Sequence, residues 1–130
     1  MSTIFVSATG TECGKTLVTA ALCHQARAAG MHVAARKPVA SGVAGQGSDP
    51  DILAQAQGLT LSPEDAARTL CAYAFPEPTA PDLAAARAGI APDWQRILHS
   101  CRSEAALTLV EGAGGLFSPL TATRTNADLA

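Results

Sequence analysis

A short apolar run, β-branched and aromatic in character, opens the chain at Thr3–Ala8. After a glycine-containing turn, Leu17–Leu22 continues without Gly or Pro. The first pattern predicts a buried strand and the second a helix over Lys15–Ala29, stopped by Gly30. Within that helix Val18, Ala21, Leu22 and Ala26 recur at helical spacing, which predicts its packing face. His32–Lys37 reads as a second strand closed by Pro38, and Ser41–Pro50 as an exposed polar loop. A short helix is expected over Asp51–Gln57. Ser62-Pro63-Glu64-Asp65 starts another, with a cap, a first-turn proline and early acids. Cys71–Phe75 reads as an extended piece, and Leu83–Ala88 and Asp93–Arg102 as helices. Ala106–Val110 reads as a strand opening into Glu111-Gly112-Ala113-Gly114-Gly115. Strands alternating with helices predict one α/β domain over residues 1–130, a mostly parallel sheet flanked by helices.

Chemistry concentrates where strands end. Thr9-Gly10-Thr11-Glu12-Cys13-Gly14-Lys15-Thr16 lies between the first strand and the first helix and reads as a phosphate-binding loop. Backbone N–H groups and the helix N-terminus favour an anion there; Lys15 would reach the terminal phosphates and the Thr16 hydroxyl would ligate magnesium. The loop is a deviant form, with Thr9 where the usual spacing has Gly. Glu111 ends the Ala106–Val110 strand beside a glycine-rich turn, a good place for a metal-binding carboxylate because ligands gather at the carboxyl ends of such strands, with a merely solvated turn glutamate as the competing role. Lys37 closes the second strand, again at a carboxyl end, and would neutralise an anion during transfer, with a flanking surface lysine as the competing reading. Asp49 and Asp51 are candidate second carboxylates, with helix capping as the competing role.

Composition narrows the function. A net charge of −2 supplies no basic field for nucleic acid or a membrane surface. Alanine provides much of the 48% hydrophobic content, which suits helices packed closely on a sheet. The four cysteines have neither zinc-site spacing nor a disulfide framework pattern, and no signal peptide or membrane-length apolar segment is present, so a cytoplasmic setting is expected.

Four motifs together resemble one family. Thr9–Thr16, Lys37-Pro38-Val39-Ala40-Ser41-Gly42, Glu77-Pro78-Thr79-Ala80-Pro81 and Val110-Glu111-Gly112-Ala113-Gly114-Gly115-Leu116 look like dethiobiotin synthetase, in the same order and with similar spacing. The resemblance runs across essentially the whole chain. It implies a P-loop NTPase-like fold that lacks the family's C-terminal part, so the single domain reads as the N-terminal piece of the family's chain or a shortened relative. Ala8 and Gly10 depart from the family's usual Gly and Asp, and Asp82 stands where a His is common.

The implied activity closes the ureido ring of dethiobiotin, in biotin synthesis, from 7,8-diaminopelargonic acid and CO2 with ATP and Mg2+, through a phosphorylated carbamate. Carried over by position, Glu12, Cys13, Gly14, Lys15, Thr16 and Leu17 contact ATP, as do Asp51, Glu111, Gly112, Ala113 and Gly114. Thr16, Asp51 and Glu111 hold the metal, with Asp51 the better match than Asp49. Lys37 and Lys15 are catalytic, and Thr11, Lys37 and Ser41 touch the substrate. The resemblance also implies a homodimer. Two other readings stand beside it: a different deviant-loop ATPase such as an amide ligase, and a non-catalytic nucleotide-binding fragment.

Overall fold

The strand that carries Glu111 sits in the middle of the sheet, and the fold is best described outward from it. The computed structural model covers residues 1–130. Strand β1 (Ser2–Val6) leads through the glycine-containing loop into helix α1 (Lys15–Ala28), followed by β2 (Val33–Arg36) and β3 (Val39–Ser41). Helices α2 (Asp49–Ala56) and α3 (Pro63–Leu70) precede β4 (Tyr73–Phe75). Helices α4 (Pro81–Arg87) and α5 (Trp94–Ser100), strand β5 (Leu107–Glu111) and helix α6 (Asn126–Leu129) complete the order. The main sheet runs β1-β5-β2 and a smaller one pairs β3 with β4; every strand pair is parallel. A parallel sheet flanked by helices is thus the architecture, as the alternating pattern predicts. No helix is long and apolar enough to cross a membrane.

The register aligns three strand ends. Val6 pairs with Glu111 on one side of β5, and Arg36 pairs with Val110 on the other. The phosphate loop, Glu111 and Lys37 therefore emerge side by side at one carboxyl edge, where an α/β sheet presents ligands.

Two apolar clusters support this edge. One joins Cys23 of α1, Val33 and Ala35 of β2, Leu53 and Ala54 of α2, Ala66 and Leu70 of α3, and Leu109 of β5. The other gathers Val39, Phe75, Ala84, Ala85, Ile97 and Leu120 around β3 and β4. Buried alanines let helices approach closely, and each fully buried leucine contributes on the order of 2–3 kcal/mol.

Several elements differ from the sequence expectations. The packing face of α1 is Lys15, Thr19 and Cys23, while Val18 and Leu22 are largely exposed. Thr19 can be buried because its hydroxyl donates to the Lys15 carbonyl one turn back, at 2.8 Å. Val39–Ser41, to which the pattern assigns no strand and whose last residue opens the expected loop, is a strand. Its backbone pairs with Tyr73–Phe75, a partner beyond the reach of local pattern. Helix α2 starts two residues early, with Pro50 in its first turn.

The outer flank of β2 is closed. The Gln57 side chain accepts from the Ala35 N–H at 3.1 Å and donates to the Ala35 carbonyl at 3.3 Å, standing in for a strand. Further along, the Lys37 N–H donates to the Leu70 carbonyl. The outer flank of β1 has no such cover, so this strand, expected to be buried, is exposed over Ser2–Ile4 and only half-buried at Phe5 and Val6.

Candidate active site

The phosphate loop turns on two left-handed residues. Gly14 caps α1 at φ 88°, and Glu12 is the only non-glycine residue with positive φ, at 55°. An L side chain in that region carries backbone strain, of the kind concentrated at ligand-binding turns. No side chain caps α1. The first N–H groups of a helix have no partner within it, so they are available to an anion. Lys15 is mostly buried and folds back, its Nζ donating to the Gly10 carbonyl at 3.0 Å.

Glu111 is the hub. It is fully buried, and its Oε1 accepts hydrogen bonds from Thr16 Oγ1 and Lys37 Nζ, both at 2.7 Å. Its Oε2 is also buried and has no hydrogen-bond partner. Lys37 Nζ donates in addition to the Gly112 carbonyl at 3.1 Å and lies 3.2 Å from Asp49 Oδ2. A buried ammonium and carboxylate are tolerable only when paired and hydrogen-bonded in this way.

A cleft of about 720 Å³ opens above this cluster. Of the residues expected there, Thr11, Glu12, Gly14, Lys15, Thr16 and Leu17 line one wall. Lys37, Ser41, Glu111, Ala113 and Gly114 line the rest, and Pro78–Pro81 forms a rim. Cys13 and Gly112 do not line it. Cys13 is exposed with its thiol toward the Thr11 carbonyl, and Gly112 lies beneath, bonded to Lys37. Asp51 does not line it either: its buried carboxylate accepts the Gly47 N–H at 2.8 Å and borders a smaller neighbouring pocket. Asp49, the less favoured match in sequence, is the carboxylate of this pair that lines the cleft.

The second glycine-rich loop is fastened to the first and to α6. The Leu116 N–H donates to the Ala8 carbonyl at 2.9 Å, and a Cβ on Gly115 would stand 2.8 Å from the Thr9 carbonyl oxygen. Asn126 is fully buried; its Oδ1 accepts the Ala113 N–H, and its Nδ2 donates to the Ala113 and Gly115 carbonyls at 2.6 and 2.9 Å. Ser118 Oγ accepts the Gly115 N–H at 2.9 Å. Sequence reasoning finds neither supporting residue. The one available signal is the capping box of Thr125 and Asp128, which fixes the start of α6 on Asn126.

The donor set suits a hard divalent cation. A magnesium ion needs only one or two protein oxygens and fills its octahedron with water and phosphate. The unpartnered Glu111 Oε2 and the adjacent Thr16 hydroxyl are donors of that kind.

Comparison with known proteins agrees with this geometry. The family model described as an AAA domain matches residues 2–130. The chain is 46% identical to the ATP-dependent dethiobiotin synthetase BioD of Methylobacterium nodulans, over 96% of its own length and 60% of that protein. The proteins of the same name from Acidiphilium cryptum and Anaeromyxobacter dehalogenans are 40% and 44% identical, over 98% and 100% of this chain. The chain spans 60% and 58% of those two relatives. The resemblance carried by the four motifs is borne out, and so is the P-loop NTPase-like fold class.

Proposed function

This chain belongs to the AAA-domain family, and on that premise we propose that it carries the phosphoryl-transfer site of a dethiobiotin synthetase. The reaction is the ATP-dependent closure of the ureido ring on 7,8-diaminopelargonic acid with CO2. A carbamate forms on one amine and accepts the γ-phosphoryl group of ATP. The second amine then attacks the carbamoyl carbon, the C–N bond closes the ring, and inorganic phosphate leaves.

The observation that carries this reading is the single oxygen Glu111 Oε1, which takes hydrogen bonds from both Thr16 and Lys37. It ties the phosphate loop to a second cation through one shared carboxylate oxygen, which an ordinary nucleotide-binding module does not require. In this reading the first N–H groups of α1 and the Lys15 ammonium hold the ATP phosphates. Lys37 faces the carbamate oxygen and the γ-phosphoryl group, and its fixed charge stabilises the electron density that builds up between them. Thr11 and Ser41, across the cleft, would orient the diamine. Thr16 and Glu111 would hold magnesium, which would supply charge neutralisation for the transferring phosphoryl group. Of the two aspartates, Asp49 lies 3.2 Å from Lys37 Nζ, and Asp51, the metal ligand implied by the resemblance, accepts the Gly47 N–H. A cytoplasmic homodimer is the assembly implied by the resemblance.

The test is phosphate release from magnesium-ATP by this chain, with and without diaminopelargonic acid plus bicarbonate, beside Lys37→Ala. Release that needs both co-substrates and falls at least a hundredfold in the variant is expected. Release indifferent to the diamine would reassign the chain to another ATPase. Absence of release with ATP still bound would make it a binding module.

A further inference from the structure

Two carboxylates face one ammonium on the floor of the cleft, and they are not equivalent. Glu111 is fully buried at the end of the central strand, and both Lys37 and Thr16 hydrogen-bond to the same oxygen. Asp49 begins α2, and its side chain is 44% exposed. The segment before it, 42–48, contains three left-handed glycines, Gly42, Gly45 and Gly47. Asp49 Oδ2 is 3.2 Å from Lys37 Nζ, held by charge, whereas the aligned hydrogen bonds of Lys37 go to Glu111 and the Gly112 carbonyl.

One cation against two anions leaves the immediate surroundings of Lys37 negative. An oxyanion approaching Lys37 is repelled unless one carboxylate gives way. Glu111 cannot do so without stranding buried partners on both sides. Asp49 can turn toward water, because a part-exposed ion pair contributes little and its carboxylate is readily solvated.

We propose that Asp49 is a positioning residue that occupies the cleft-facing side of Lys37 in the empty site and yields it to an incoming oxyanion. This rests on reading the cleft as a phosphoryl-transfer site and adds to it the order of events at Lys37. The ammonium is held in place by a resident anion, and substrate binding is an exchange of that partner. Asp49 also keeps free anions off the lysine, so only a ligand anchored elsewhere in the cleft displaces it efficiently.

Inorganic phosphate is the probe, with its affinity for the whole chain measured by calorimetry. The variants are Asp49→Asn, Asp49→Ser, Asp49→Glu, Lys37→Ala and the double variant Lys37→Ala/Asp49→Asn. Removing the charge at position 49 by either Asn or Ser is expected to tighten phosphate binding about fivefold. Asp49→Glu should restore the wild-type value, and the tightening should vanish in the Lys37→Ala background. A purely structural Asp49 would leave affinity unchanged or weaken it, and either result overturns the proposal. Equal tightening in both backgrounds overturns it too, because the effect would then be a general field and not an exchange at Lys37. If none of the proteins binds phosphate, the proposal falls. None of these measurements involves the diamine, so failure of the substrate assignment in the turnover assay is read separately.

Discussion

Cys71 sits where the polar cluster meets the apolar core, at the C-terminal end of α3. Burial pushes its thiol up to about 12 from an ordinary 9.0, opposed by Lys37 and assisted by the charges of Asp49 and Glu111. Below pH 9 both folded and unfolded chains keep this proton. Between about 9 and 12 the unfolded chain loses it while the folded chain retains it, so stability falls across that window as pH rises. Urea midpoints measured from pH 8 to pH 11 should decline less steeply for Cys71→Ala than for the wild type. Parallel slopes would remove Cys71 as a cause. At this scale the sequence is informative about charge and poor about support. Lys15, Thr16, Lys37 and Glu111 are legible because their residue types are unusual at strand and helix ends. Asn126 is not, because an asparagine at the start of a short helix looks like many others. Its role comes from main-chain groups of Ala113, Gly115 and Ser118, on a loop about ten residues away in sequence.

Among the elements, the two glycine-rich loops behave as one unit because they are in van der Waals contact along their backbones. Gly115→Ala would push a Cβ to 2.8 Å from the Thr9 carbonyl oxygen and 3.3 Å from the Gly10 nitrogen. Both are main-chain atoms that cannot rotate away. We expect about 1–3 kcal/mol of lost stability and at least tenfold weaker ATP binding. Gly10→Ala meets nothing within 4 Å and should be tolerated on both counts. Titration with a fluorescent ATP analogue, paired with denaturant unfolding, checks both variants. Most helices were legible, since caps such as Ser62 and Asp93 and stops such as Gly89 carry local signals. Strand β3 and the true face of α1 were not. The first depends on a partner some thirty residues away, and the second buries a threonine and a lysine that pattern alone assigns to solvent.

On the scale of the whole molecule, the main sheet has unequal flanks. Gln57 and the Leu70 carbonyl occupy the outer side of β2, while β1 presents an uncovered flank and its Ile4 is exposed. An unprotected strand edge that carries an exposed apolar side chain favours strand-to-strand association. Sedimentation velocity of this chain should show concentration-dependent self-association that Thr3→Lys reduces. A monomer at all concentrations would mean that the flank is protected by its own dynamics or sequence. The strand order has a different consequence for how the molecule comes to exist. Neither β1 nor β2 can pair with the other, and both wait for β5, whose partner Ser2 lies about a hundred positions upstream. Closing such long loops slows folding, and a chain emerging from synthesis can hold no main sheet until residues 107–111 are available. That late strand is also the one that ends in Glu111, so the carboxylate of the reactive cluster arrives only with the strand that completes the sheet.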